Sequence, residues 1–112
     1  MLNLKPADMR FRVTIQSQQR VVDSNGLETV TWVDVATNVP AGIIALSGRE
    51  LEALAQPIAQ YNARVTIYKR NDIDESMRLV FDGRNYDIKD IIPDPTNNVY
   101  MSLMCKTGYT NG

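Results

Sequence analysis

The stretch Met77-Arg78-Leu79-Val80-Phe81-Asp82-Gly83-Arg84-Asn85-Tyr86-Asp87-Ile88 decides the fold. Two short runs with apolar residues flank Asp82-Gly83, and both turn residues accept the positive φ that a two-residue type I′ turn requires. The twist of that turn matches the twist of paired strands, so the segment predicts a β-hairpin. The same period of two continues on either side. Downstream, after a turn over Pro93-Asp94-Pro95-Thr96-Asn97-Asn98, the residues Val99, Met101, Leu103 and Cys105 alternate with Tyr100, Ser102, Met104 and Lys106. Alternation places the first set on one face of a strand, which makes Cys105 a small core-facing residue. Upstream, Ala63, Val65 and Ile67 alternate with Arg64, Thr66 and Tyr68, and the polar stretch Asn71 to Ser76 forms a loop.

Nearer the start, Phe11, Val13 and Ile15 fall on one face of a strand running to Gln18, with Arg12, Thr14 and Gln16 on the other. Asp23-Ser24-Asn25-Gly26 supplies turn residues, and Thr29 to Val35 resumes a β-rich stretch whose Trp32 is expected in the core. Val39 to Leu46 reads as a separate short strand or edge segment, because Pro40 has no N–H for a central ladder. The period then changes. Ser47-Gly48-Arg49-Glu50 has the Ser-x-x-Glu spacing of a capping box, and Leu51, Leu54, Ala55 and Ile58 follow at helical spacing. One amphipathic helix is expected there, ending near Gln56 because Pro57 clashes with the preceding turn.

With 112 residues, 44% of them apolar, the chain suits a single domain over 1–112 that buries roughly two-thirds of its unfolded surface. About six strands with short turns favour a small antiparallel β-barrel with one short inserted helix, since closure removes exposed sheet edges. Residues 1–9 are expected to form a flexible arm and residues 107–112 a flexible tail.

Composition removes much chemistry. There is one Cys and no His, so the usual zinc sites, the Ser-His-Asp and Cys-His nucleophile systems and an imidazole base are excluded. No catalytic residue, cofactor site or metal site is expected. Twelve basic against thirteen acidic residues give a net charge of −1, without the basic excess of a protein that lives on bare nucleic acid or anionic lipid. The opening residues lack the apolar run of a signal peptide, and a soluble, cytosolic product that does not engage membranes is expected.

Three groups remain as candidate sites. Asp72, Asp74 and Glu75, near Asp90 or Asp94, have oxygen ligands for a hard cation but not the spacing of an EF-hand, so they read as a solvated loop. Arg64, Thr66, Tyr68 and Arg70 share a strand face, and Arg10 and Arg12 bracket Phe11 on another strand. Aromatics among basic residues are what an OB-type barrel uses to stack single-stranded nucleic acid, and also what any polar outer face carries. The Ser47-Gly48-Arg49-Glu50 segment is read as a helix cap ahead of an anion site, and Leu51, Leu54 and Ile58 as a core-facing stripe ahead of a partner-binding one.

Taken in order, Arg10-Phe11-Arg12-Val13-Thr14-Ile15-Gln16, Gly26, Thr31-Trp32, Ala41-x-Ile43, Leu46-Ser47-Gly48-Arg49-Glu50, Val65-Thr66-Ile67-Tyr68-Lys69-Arg70 with Asp72-Ile73, Arg78, Asp82-Gly83-Arg84, Tyr86-Asp87-Ile88 and Leu103-x-Cys105 resemble the bacteriophage head-tail joining family, also called head-completion, adaptor or stopper proteins. Phe11 stands where members often have His, and Pro40 where they often have an aromatic. The resemblance implies a small β-barrel protomer without catalysis, present in the virion at the head-tail interface after assembly in the host cytoplasm. It implies copies of the chain in a ring, contacts to a portal or adaptor protein and to a tail or tail-terminator protein, and double-stranded DNA passing without sequence recognition. On this reading Ser47, Gly48, Arg49, Glu50, Leu51 and Leu54 are candidates for assembly or gating, and Arg12, Arg64, Tyr68 and Arg70 for contacts through the polar face. The alternative from a different class is an OB-like single-strand-binding module.

Overall fold

A computed structural model describes residues 9–46, 61–94 and 98–109. The Asp82-Gly83 hairpin forms as its sequence predicts, with β4 (Arg78–Phe81) and β5 (Arg84–Pro93) antiparallel and φ at 53° for Asp82 and 76° for Gly83. The other strands are β1 (Phe11–Val22), β2 (Glu28–Ala45), β3 (Ala63–Tyr68) and β6 (Tyr100–Tyr109). Together the six close into an antiparallel barrel in the order β1-β2-β3-β6-β5-β4. The expected inserted helix falls on residues 47–60, outside the described residues, and no helix occurs among those described.

The barrel interior is the alternate set of every strand. Val13 and Ile15, Val39 and Ala41, Ala63, Val65 and Ile67, Leu79, Tyr86 and Ile88, then Met101, Leu103 and Cys105 form one buried cluster. Period-two patterning dictates this: a strand can turn only alternate residues inward. A second, smaller cluster sits outside the barrel wall, where Met104 packs with Tyr61, Leu46 and Ile92. Thr66 and Ser102, cross-strand neighbours on that same outer face, are also buried.

Several expectations need correction. Val39 to Leu46 is not a separate strand: β2 runs unbroken over 18 residues. Its partners shift register between Val13 and Gln16, and Asn38 takes a φ of 57°, so the strand bends through bulges instead of stopping. Pro40 is tolerated because it pairs with Arg12 on one side only, and pairing with β3 begins at Ala41. Thr107, expected in a flexible tail, belongs to β6, where its N–H donates to Asn62 Oδ1 at 2.8 Å. Trp32 lies outside the core cluster, half-buried on β2 beyond the barrel.

Candidate assembly surface

β1 and β2 outrun the barrel. β1 pairs with β4 only over Thr14–Gln16, and β2 pairs with β3 only over Ala41–Ala45, so the remainder of both strands forms a two-stranded ribbon. Its pairing continues from Gln16 opposite Asp34 to Val22 opposite Glu28. The length beyond Gln16 is about 20 Å at the rise of a strand, consistent with an overall extent of 51 × 27 × 24 Å. At the tip, Asp23 Oδ1 accepts the N–H groups of Asn25 and Leu27, both at 2.9 Å, and Gly26 takes a φ of 80°.

Directly paired residues share a face. One ribbon face therefore carries Ser17, Gln19 and Val21 opposite Val33, Thr31 and Thr29, without a charge. The other carries Gln18, Arg20 and Val22 opposite Trp32, Val30 and Glu28, with Arg20 and Glu28 ion-paired. Val21, Val22, Leu27, Val30, Val33 and Val35 are all exposed. Sequence patterning pointed to a hairpin here but not to a projecting one. The available signal was that Val21, Val30, Val33 and Val35 outnumber the interior positions a short barrel strand can fill.

The residues expected to act through the polar face are only partly gathered. Tyr68 is exposed and packs on Tyr100, ring centroids 5.1 Å apart. Arg70 is already committed: its Nε and Nη2 donate to the Asp72 carboxylate at 2.9 and 2.8 Å, which holds that carboxyl below its usual range. Arg64 is half-buried, and Thr66 between it and Tyr68 is buried. Arg12 stands on β1, with β2 between it and β3, and its guanidinium donates to the carbonyls of Met9 and Phe11. The arginine beside the two rings, Arg70, is thus already paired with a carboxylate, whereas a polyanion track needs unpaired cations beside its stacking rings.

Ser47, Gly48, Arg49, Glu50, Leu51 and Leu54 lie outside the described residues. In the acidic loop, Asp74 accepts from the Ser76 hydroxyl and from its N–H at 2.9 Å, and these bonds lower its pKa. Among the described residues no group of three or more acidic, Cys or His side chains is placed to hold a metal ion. An open cleft of about 240 Å³ lies at the ribbon root, lined by Gln18, Trp32, Glu75, Met77, Asp87 and Lys89. That is smaller than the roughly 300 Å³ at which ligand pockets begin.

The chain is thus a closed six-stranded barrel with a long β1-β2 ribbon. The sequence profile of the phage head completion protein family matches residues 4–108. The chain belongs to that family. Protein SF1141 from Shigella flexneri 2a, solved in solution, is 26% identical with a TM-score of 0.74, over 88% of this chain and 92% of that one. A chain in the virion of a native gene transfer agent particle has a TM-score of 0.60 at 16% identity, over 90% and 94%, and so shares the fold. No curated protein matches. Membership makes this head completion protein a structural component of the virion, at the head-tail interface.

Proposed function

We propose that this head completion protein forms a ring at the phage head-tail connector, closing or extending the DNA-filled head and offering the surface on which the tail docks. The observation that carries the reading is a closed barrel bearing a projecting ribbon whose two outer edges have no strand partner among the described residues. A cyclic ring uses two different patches head to tail, so each protomer stays soluble until a template nucleates closure. The portal or adaptor supplies that template, and the tail or tail-terminator protein binds the finished ring. A balance of twelve basic and thirteen acidic residues also suits a channel wall, because a wall that grips few phosphates lets DNA pass.

The test is electron microscopy of particles from a phage lacking this gene. Filled or leaking heads beside unattached tails, rescued by adding purified protein, are expected. Normal tailed virions in its absence would overturn the reading.

A further inference from the structure

The ribbon presents two sheet edges with no partner among the described residues. On β1 the outer edge beyond Gln16 is free, and on β2 so is the outer edge from Glu28 to Pro40. Proteins normally blunt such edges with Lys, Pro, inward charges or very short strands. Here Ser17 to Val22 and Glu28 to Val35 hold no Lys and no Pro, and five of those fourteen residues are exposed valines: Val21, Val22, Val30, Val33 and Val35. A two-stranded ribbon is also marginal by itself in water. An edge of this kind is a template for another strand.

We infer that, in the assembled ring, the free β2 edge of one copy pairs with the free β1 edge of the next, so that the ribbons join into one continuous antiparallel sheet around the ring. The inference rests on the ring reading above and names the surface that closes it. Three observations select a second copy as the occupant. First, rotation about a ring axis that runs along the ribbons leaves every ribbon pointing the same way. β1 and β2 run in opposite directions, so β2 of one copy meets β1 of the next antiparallel, and both edges of every copy are used.

Second, the charges suit repetition. The face of Ser17, Gln19, Val21, Thr29, Thr31 and Val33 carries none, so identical neighbours bring no like charges together. On the opposite face Arg20 on β1 and Glu28 on β2 ion-pair within a ribbon. Around a ring each Arg20 then lies between two Glu28 carboxylates, its own and a neighbour's, an alternation of sign that sets register. Third, both threonine hydroxyls on the uncharged face already have acceptors: Thr29 donates to the Val21 carbonyl at 3.3 Å and Thr31 to the Gln19 carbonyl at 3.4 Å. A neighbouring strand packed beside them strands neither threonine proton.

The experiment places single cysteines on the two edges of the full chain: Ser17, Gln19 or Val21 on β1, and Thr29, Thr31 or Val33 on β2. Residues facing across adjacent strands lie within disulfide reach, and the native Cys105 is buried. A β1 variant and a size-tagged β2 variant are co-expressed during infection and the particles oxidised. Each copy carries one introduced thiol, so no bond can form within a ribbon. Expected is a mixed-size disulfide dimer in at least one β1/β2 combination, with no dimer in particles holding either variant alone. The inference is overturned by no inter-copy bond in any of the nine combinations, or by a β1 variant linking to itself, in particles whose joint contains several copies. Particles lacking the chain at the joint would instead remove the ring reading, and the edge pairing with it.

Discussion

The guanidinium of Arg78 lies over the indole of Trp32, its carbon 4.1 Å from the ring centroid. The same side chain donates from Nε to Gln16 Oε1 at 2.8 Å, and the Gln16 amide donates to Asp34 Oδ1 at 2.9 Å. One arginine on β4 thus ties β1 and β2 together where the ribbon leaves the barrel. Burial lowers the Arg78 pKa, and Asp87 opposes that shift. A partly desolvated guanidinium over an indole contributes about 1 kcal/mol, and the hydrogen bond to Gln16 about 1 more. Arg78→Ala is therefore expected to lower unfolding free energy by about 1–2 kcal/mol, with Arg78→Lys recovering part, since a lysine keeps the charge but not the planar fork. Urea midpoints measure this. An unchanged midpoint for Arg78→Ala would show that Trp32 packs without its cation.

Cys105 gives a pH prediction. Burial, with a smaller contribution from the Asp87 charge, pushes its thiol from 9.0 to about 12. In the unfolded chain the thiol ionises first, so above pH 9 the unfolded state gains and the folded state does not. Its contribution is complete below the unfolded pKa and is lost as pH rises towards the folded one, at up to about 1.4 kcal/mol per pH unit. Tyr61, raised by burial and by Asp90, acts in the same direction. Cys105→Ala should be less stable than the parent at pH 7.5, with the deficit narrowing by pH 10.5 in urea titrations. A constant deficit would mean that the thiol ionises in the folded barrel.

At the β4-β5 turn, Gly83 has a φ of 76° and a Cβ built there meets nothing within 4 Å. The cost of a side chain is then conformational alone. Gly83→Ala is expected to cost about 1 kcal/mol and Gly83→Asn less, because Asn visits the left-handed region more readily. Thermal melts compare the two. Equal losses would point to an unseen steric contact.

These cases also show what was legible in the sequence. Asp82-Gly83 and the alternation of Val65, Ile67, Leu103 and Cys105 are local signals that a strand cannot satisfy in another way, and they gave the β-barrel and its core. β2 was not legible as one strand, because Pro40 and the bend at Asn38 look like strand ends, and only pairing with β1 across the bulges keeps the chain extended. Trp32 was expected inside because large aromatics usually are; its actual partner, Arg78, is distant in sequence. Thr66 was read with Arg64, Tyr68 and Arg70 on a polar outer face, yet it and its cross-strand neighbour Ser102 are buried, since burial on the outside of a barrel wall depends on what packs over it and not on period two. The projecting ribbon was hidden for the same reason: an open edge is a property of neighbouring strand lengths, not of residues 17–35 themselves.

A single charge separates assembly from stability. Thr31 is exposed on the ribbon, opposite Gln19, and touches none of the barrel core. Thr31→Lys removes one hydroxyl bond and places an ammonium on a face that otherwise has no charge. Surface changes of this kind usually alter stability by about 0.5 kcal/mol or less. In a ring, however, the same ammonium recurs on every neighbouring ribbon and sits at the strand edge, where lysine is the residue that ordinarily blocks pairing. Leu103→Ala is the opposite control: Leu103 is fully buried in the barrel, and its truncation is expected to cost about 2–5 kcal/mol. Complementation of a phage lacking the gene should then fail with Thr31→Lys at an unchanged melting temperature, and should follow folded concentration with Leu103→Ala. Full complementation by Thr31→Lys would show that the ribbon's uncharged face has no part in joining head to tail.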